Sequence, residues 1–161
     1  MKKNYKEEMY TAFKAICKME IPENKKTGML TILFSMESNN WRVVGISVDA
    51  IKVFHNNGYL RVSKMGVNRS HIKKRYDSYK EIMEKELKGE FKNYNEWWNY
   101  YFDNDKTYIQ TSSENMKKNG HSKIIDISNP DFTLFKAKGF AWNHGENEIA
   151  LLKKLYIEHC S

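Results

Sequence analysis

The chain has 161 residues, of which 40% are hydrophobic and 14% aromatic, and it carries a formal net charge of +7. This length is typical of one domain with its own core, and Cys17 and Cys160 are too few for a disulfide framework or a Cys-x-x-Cys site, which suits a reducing compartment. Because the N-terminus is charged and no apolar run approaches membrane-spanning length, we expect a cytoplasmic protein without a signal peptide or a membrane span.

The first third of the chain predicts a helix followed by two strands. Apolar residues recur at helical spacing over residues 5–16, so we expect an amphipathic helix that ends before Pro22. Compact apolar runs at 29–34 and 41–46 predict strands, and the polar residues 37–40 between them predict a turn.

The clearest turn signal is Asn57-Gly58, which stands between the short runs 51–55 and 59–63. A two-residue hairpin turn requires positive φ, which Gly accepts freely and Asn tolerates better than most residues. Both flanks are rich in β-branched and aromatic residues, so the pattern predicts a β-hairpin.

Residues 62–72 also fit a second interpretation, the turn and recognition helix of a helix-turn-helix. In it, Gly66 makes the turn and Asn68 caps the recognition helix. The short spacing from Gly58 leaves little room for the motif's first helix, so the hairpin is favoured. After the hairpin, Asn68 is a candidate cap for a long basic helix that ends at Gly89.

A dense aromatic segment follows at 91–102. It has three interpretations: a short buried helix, a protein-binding patch or a base-stacking surface. Large aromatic side chains are mostly buried, so core packing is favoured. An exposed patch would instead offer Trp97, Trp98, Tyr100 and Tyr101 to a protein partner.

The last third predicts short strands and a final helix. Strands are expected at 107–109, 123–127 and 132–135, and a helix is expected over 146–157. Together the elements predict an α+β fold. It consists of an N-terminal helix, an antiparallel β-meander of about four strands, a long basic helix and a smaller α/β C-terminal part.

No internal repeat or low-complexity linker divides the chain, so we expect a single domain over residues 1–161. A weak seam is expected near Gly89, where charge and aromatic content both change. It separates a basic α+β part, residues 1–89, from a neutral, aromatic-rich part, residues 90–161.

The stretch from Arg61 to Arg75 carries six basic residues and no acid. The six are Arg61, Lys64, Arg69, Lys73, Lys74 and Arg75. A patch of one sign attracts a polyanion by contacts to phosphates, although a solvated face is the plainer interpretation. Asn68, Ser70 and His71 lie among these residues and are candidates to reach base edges or sugar oxygens.

Two short segments carry a resemblance to a known family. Residues 57–63, followed by 69–72, resemble the strand-turn-strand opening of phage and intron homing endonucleases of the His-Asn-His class. Residues 111–117, followed by Gly120, resemble the segment that closes that nuclease module, and the two pieces stand in the family's order. The resemblance implies contact with DNA and a phage or mobile-element setting, hence the host cell cytosol. The family's catalytic His and metal-binding Asn are not matched, so no catalytic role is carried over.

The sequence contains no Gly-rich phosphate loop, nucleophile elbow or His-Glu-x-x-His motif. We therefore expect no catalytic residue, metal or cofactor, and favour a non-catalytic protein that binds DNA or another polyanion through the basic segment. An alternative is a small inhibitor that binds and blocks a host defence nuclease, as anti-CRISPR proteins do. A third hypothesis is a diverged nuclease that uses Asp103, Asp105 or His121.

Overall fold

The computed structural model describes residues 5–38, 40–61, 64–116, 123–129, 131, 133–139 and 141–161. The helices within these ranges are α1 (Tyr5–Lys18), α2 (Glu23–Ser35), α3 (Val48–Asn56), α4 (Arg75–Leu87), α5 (Tyr94–Asn104), α6 (Ser112–Met116) and α7 (Glu146–His159). The strands are β1 (Arg42–Ser47), β2 (Val67–His71), β3 (Lys106–Thr111), β4 (Ile124–Asp126), β5 (Ala137–Lys138) and β6 (Ala141–Trp142). This combination of helices and strands confirms the predicted α+β class.

The four longest strands form one mixed sheet in the order β2-β3-β1-β4. β1 and β3 run parallel, with Ile46 opposite Ile109, whereas β2 and β4 are antiparallel to their neighbours. β5 and β6 pair with each other in a separate sheet. The predicted antiparallel meander is wrong, because β3 lies between β1 and β2. Since β3 follows Gly89 in the chain, the sheet also joins the two sides of the expected seam.

The N-terminal helix predicted from apolar spacing is confirmed as α1, whose buried face includes Met9 and Phe13. The strand predicted at 29–34 is wrong, because this run lies inside α2. Leu30 and Phe34 stand four residues apart and are both fully buried. The run therefore covers one face of a helix, where residues four apart are neighbours, and not one face of a sheet.

Four helices, α1, α2, α4 and α5, enclose an aromatic core. The ring of Trp97 is fully buried, and its centroid lies 5.2 Å from that of Phe13 and 5.7 Å from that of Phe34. Tyr101 stacks on Phe34 at 3.7 Å, and Trp98 is buried beside Trp97. The buried-helix interpretation is confirmed. The prediction of a protein interface at Trp97, Trp98 and Tyr101 is corrected, because the chain's own core covers these rings.

A second core lies between the sheet and helices α3 and α7. Ile46 and Ile109 of the parallel strand pair are fully buried in it, together with Phe54 of α3 and Leu152 of α7. α7 confirms the helix predicted over 146–157. Burial of this apolar surface holds the sheet against both helices.

Three predicted strands are confirmed, because β1, β3 and β4 overlap the runs at 41–46, 107–109 and 123–127. The strand expected at 132–135 is wrong over residues 133–135, which belong to no strand, and residue 132 lies outside the described ranges. Among the described residues, no helix has both the length and the apolar character needed to cross a membrane.

The β-hairpin predicted around Asn57-Gly58 is wrong, because the run 51–55 lies in α3. Ile51 and Phe54 stand three residues apart and are both fully buried, which is helical spacing. Gly58 then adopts a φ of 64°, so Asn-Gly serves here to end a helix. Residues 62 and 63, at the end of the second expected strand, lie outside the described part of the chain.

The helix-turn-helix interpretation is also wrong, because residues 67–71 form β2. Asn68 lies opposite Gln110 of β3 and does not cap a helix. The basic helix exists as α4, but it begins at Arg75; it ends before Gly89, as predicted, and Gly89 has a φ of 71°. The basic segment therefore spans a turn, a strand and a helix start, which decides where its charges can meet.

Candidate functional site

Three arginines of the basic segment converge on one cavity. They are Arg61, Arg69 and Arg75. The cavity has a volume of about 470 Å³, and the indole side chains of Trp41 and Trp142 also line it. No acidic side chain of the described residues lines it. We call this cavity the arginine pocket; its remaining lining residues are Val67, Asn68, His71 and Asn115.

The three lysines of the basic segment lie elsewhere. Lys64 lines an adjoining cavity with Arg61. Lys73 forms an ion pair with Glu81, and Lys74 is exposed; neither lysine lines these two cavities. The prediction that all six basic residues share one surface is therefore corrected: Lys73 and Lys74 stand in the turn between β2 and α4 and do not line the cavities of Arg61.

Arg69 is the most enclosed of the three arginines. Its Nη2 donates a 2.9 Å hydrogen bond to the carbonyl of Ala141. Its guanidinium carbon lies 5.0 Å from the ring centroid of Trp41 and 5.7 Å from that of Trp142. Burial lowers the pKa of Arg69 to about 10, so the side chain remains a cation at neutral pH.

Arg61 and Arg75 reach the same two indoles from other elements. The guanidinium carbon of Arg61 lies 4.1 Å from the ring centroid of Trp142, and its Nη1 donates to the Trp142 carbonyl at 3.3 Å. Arg75 is the first residue of α4, and its guanidinium carbon lies 5.9 Å from the ring centroid of Trp41. These contacts hold the guanidinium groups over aromatic rings, and cation–π attraction helps to fix their positions.

His71 and Asp105 contact each other, and Arg69 and Arg75 lie near His71. The His71 Nδ1 is 3.5 Å from the Asp105 Oδ1. Burial, with Arg75 and Arg69 nearby, lowers the pKa of His71 to about 4, so the imidazole is neutral at pH 7. The Asp105 Oδ2 accepts hydrogen bonds from the backbone N–H of Trp41 and from the Tyr101 hydroxyl, each at 2.6 Å. His71 therefore lines the pocket without adding a charge.

Two further cavities open beside the arginine pocket, and Arg61 lines all three. The one that holds Lys64 has a volume of about 630 Å³, and the one that holds Lys138 has about 760 Å³. Among the described residues, Glu148 is the one acid that lines any of the three. Glu148 is buried and accepts hydrogen bonds from two backbone N–H groups, at 3.0 and 2.9 Å. We call the three cavities together the arginine groove.

The neutral residues predicted to contact bases differ in their access to the groove. Asn68 is exposed at the rim and donates a 2.8 Å hydrogen bond to the Ser112 hydroxyl. Ser70 is buried, with 7% of its surface exposed, so its prediction as a base contact is corrected. Side chains alternate between the two faces of a strand, which places Arg69 and His71 together on the pocket side of β2.

Sequence reasoning missed Trp41, Trp142 and Asn115. Trp41 and Trp142 are only 4% and 6% exposed, and about 100 residues separate them in the chain. No local pattern connects residues so far apart in sequence. The available signal was chemical: arginine stacks on indole rings, so tryptophans outside the aromatic segment were candidates to accompany the basic segment.

The residues named for a diverged nuclease are not arranged as a metal site. Asp103 is exposed on α5, whereas Asp105 is buried and hydrogen-bonded to Trp41 and Tyr101. His121 lies outside the described residues. In the part of the chain that is described, no group of three or more His, Cys, Asp or Glu side chains is placed to hold a metal ion.

No protein-family model matches the sequence, and neither a curated protein nor a solved structure gives a significant match. The geometry of the arginine groove, its charge and its aromatic floor are therefore the basis for a functional conclusion.

Proposed function

We propose that the chain is a non-catalytic protein of the phage or mobile-element type that binds DNA through the arginine groove. The convergence of Arg61, Arg69 and Arg75 on one cavity supports this most. Guanidinium groups hydrogen-bond phosphate oxygens in pairs, and a concentration of cations gains affinity by releasing the counterions of a nucleic acid. The resemblance to homing endonucleases favours DNA among the polyanions.

The way the arginines are held favours binding as well. Arg61 and Arg69 each donate to a backbone carbonyl and lie over an indole ring. Two long side chains are thus ordered before any ligand arrives, which reduces the conformational entropy lost on binding. The enclosure of Arg69 also lowers the local dielectric constant, so its attraction for an anion is stronger than it would be in open water.

A salt series of DNA-binding measurements tests this proposal. The variant Arg61→Ala/Arg75→Ala removes two exposed cations from the arginine pocket. The matched control, Lys73→Ala/Lys80→Ala, removes two cations of the same region that form ion pairs with Glu81 and Glu23. Exposed pairs of this kind contribute little to stability, so the control variant is expected to fold.

For the wild-type protein we expect log Kd to change steeply with log salt concentration for a duplex or a single strand. In the Arg61→Ala/Arg75→Ala variant this slope is expected to fall by about two units, because each lost phosphate contact lowers it by roughly one. The control is expected to keep the wild-type slope. Equal slopes for the two variants, or no binding to either form of DNA at low salt, would overturn the proposal.

A second candidate function is inhibition of a host defence nuclease, in the manner of anti-CRISPR proteins. Met29, Ile32 and Met36 are exposed along α2 and at its C-cap, at spacings of three and four residues. A row of exposed apolar side chains on one face of a helix is typical of a protein-binding surface. The arginine groove would then cover the acidic catalytic surface of the nuclease.

This second candidate is tested by passing a nuclease-treated host lysate over the immobilised chain. A retained protein whose DNA cleavage falls when the free chain is added favours inhibition. The variant Ile32→Glu, which places a charge in the exposed row, is expected to lose that partner and to keep DNA binding. A partner that is retained from an untreated lysate but not from the nuclease-treated one argues for the first function.

A further inference from the structure

We infer that the arginine pocket binds the terminal phosphate of a nucleic-acid strand, a phosphomonoester, in preference to an internal phosphodiester. This inference rests on the proposed function, because the same groove holds the rest of the strand. It assigns the pocket one chemical group, and it divides the groove into an end site and two flanking cavities.

The number of guanidinium groups around the pocket favours a phosphomonoester. An internal phosphodiester has two free oxygens and one negative charge. A terminal phosphate has three free oxygens and a charge of about −1.5 to −2 at neutral pH. Arg61, Arg69 and Arg75 line one cavity, and although Arg61 and Arg69 each give one N–H to a backbone carbonyl, the three guanidinium groups bring three positive charges to a terminal phosphate.

The floor of the pocket favours recognition of charge over recognition of a base. The indoles of Trp41 and Trp142 are almost fully buried, and the three arginines lie over them. A base therefore has no free indole face on which to stack. The volume of about 470 Å³ is that of a small-molecule site, which suits one phosphate and its sugar.

The flanking cavities fit the continuing strand. Lys64 and Asn68 line one of them, Lys138 lines the other and Arg61 lines both, so each flanking cavity has two cations where the arginine pocket has three. Internal phosphates carry one charge each, so they need fewer cationic partners than a terminal phosphate does. The larger number of cations around the arginine pocket distinguishes the end site from the path of the strand.

The test is a competition experiment with short single-stranded DNA of one sequence. The unlabelled competitors carry a 5′-phosphate, a 3′-phosphate or hydroxyl groups at both ends. A fourth competitor with hydroxyl ends is one nucleotide longer, so it adds an internal phosphate instead of a terminal one. Adenosine 5′-monophosphate is the free counterpart. Each is measured against the wild type, Arg75→Gln, and Lys64→Gln as the control within the groove.

We expect one of the phosphorylated strands to bind roughly tenfold more tightly than the strand with hydroxyl ends, because a charge-assisted contact to each guanidinium is added. The longer strand is expected to gain much less. Arg75→Gln is expected to abolish the preference, whereas Lys64→Gln weakens every strand equally.

Equal affinities with a steep salt dependence overturn the inference alone, and no binding of any strand overturns the proposed function as well. A preference that survives in Arg75→Gln overturns the assignment to the arginine pocket. Equal competition by adenosine 5′-monophosphate and the phosphorylated strand overturns the strand end as the ligand.

Discussion

The imidazole of His71 lies against the carboxyl group of Asp105, with 3.5 Å between Nδ1 and Oδ1, and burial shifts the pKa of each group in the opposite direction. Burial and two nearby arginines lower the pKa of His71 to about 4. Burial raises the pKa of Asp105 to about 6, although hydrogen bonds from Tyr101 and Trp41 oppose this rise. Each group is therefore held closer to its neutral form than it would be in water; for Asp105 burial outweighs the nearby arginines, which favour the carboxylate.

This pair predicts an unusual pH dependence of stability for the variant His71→Asn. The pKa of Asp105 is raised in the folded state, so its contribution is present below its ordinary pKa of 3.8 and is lost as pH rises through about 6. The pKa of His71 is lowered from 6.5, so its contribution grows as pH rises from about 4. In the wild type the two contributions oppose each other over this range.

Relative to the wild type, His71→Asn is therefore expected to lose stability between about pH 4 and pH 6, by no more than about 3 kcal/mol. The measurement is urea unfolding at several pH values across this range. Asp105→Asn is the reciprocal control, because it leaves the His71 contribution alone and should gain stability over the same range. Parallel pH profiles for both variants and the wild type contradict the prediction.

A buried carboxylate joins the ends of the two parallel strands, and its removal should be costly. Glu114 accepts hydrogen bonds from the Ser47 hydroxyl at 2.7 Å and from the Thr111 N–H at 2.8 Å. Glu114→Ala leaves these buried donors without their acceptor, which should lower the free energy of unfolding by about 3 kcal/mol. Glu114→Gln keeps an acceptor oxygen and should cost less. Urea unfolding measures both, with the exposed Glu84→Ala as a control; equal stabilities of the Ala variant and the control would argue against this role.

Two glycines offer a matched test of the sheet packing. A Cβ added at Gly45 of β1 would lie 2.8 Å from the Ile124 Cγ2 and 2.8 Å from the Tyr108 Cδ1, so Gly45→Ala should destabilise the fold by about 1–3 kcal/mol. Gly28 lies inside α2 with nothing within 4 Å of the added Cβ. Gly28→Ala should therefore stabilise by about 0.5–1 kcal/mol, because alanine has the higher helix propensity. Thermal unfolding measures both changes, and a stabilised Gly45→Ala variant would contradict the packing at the sheet.

Local patterns predicted the elements whose apolar residues follow one period. α1, α7 and the central strands are of this kind. The Asn57-Gly58 turn was misassigned because the same two residues suit a helix end and a hairpin, and only the burial of Ile51 and Phe54 decides between them. The sheet order was beyond reach for a different reason: the parallel pairing of β1 with β3 spans three helices and a strand.

The candidate site was predicted only in part, again because local sequence patterns do not show which side chains meet in space. Charge alone pointed to Arg61, Arg69 and Arg75, but a continuous charge run was treated as one surface. In β2 alternate side chains face opposite sides, which separates Ser70 from Arg69. The two indoles that order the arginines come from β6 and from the residue before β1, and contacts over such sequence distances leave no local pattern.

The contacts of Arg69 predict that its shape matters as much as its charge. Its guanidinium group donates to the Ala141 carbonyl and lies near both indole rings of the pocket. A lysine keeps the charge but lacks the planar fork, so Arg69→Lys should retain the salt slope of DNA binding while the affinity falls roughly tenfold. The measurement is a set of binding isotherms at several salt concentrations. Arg75→Lys is the control, because Arg75 is exposed and lies farther from its indole, at 5.9 Å, so a smaller loss is expected. Wild-type affinity in Arg69→Lys would show that the pocket requires only a positive charge at this position.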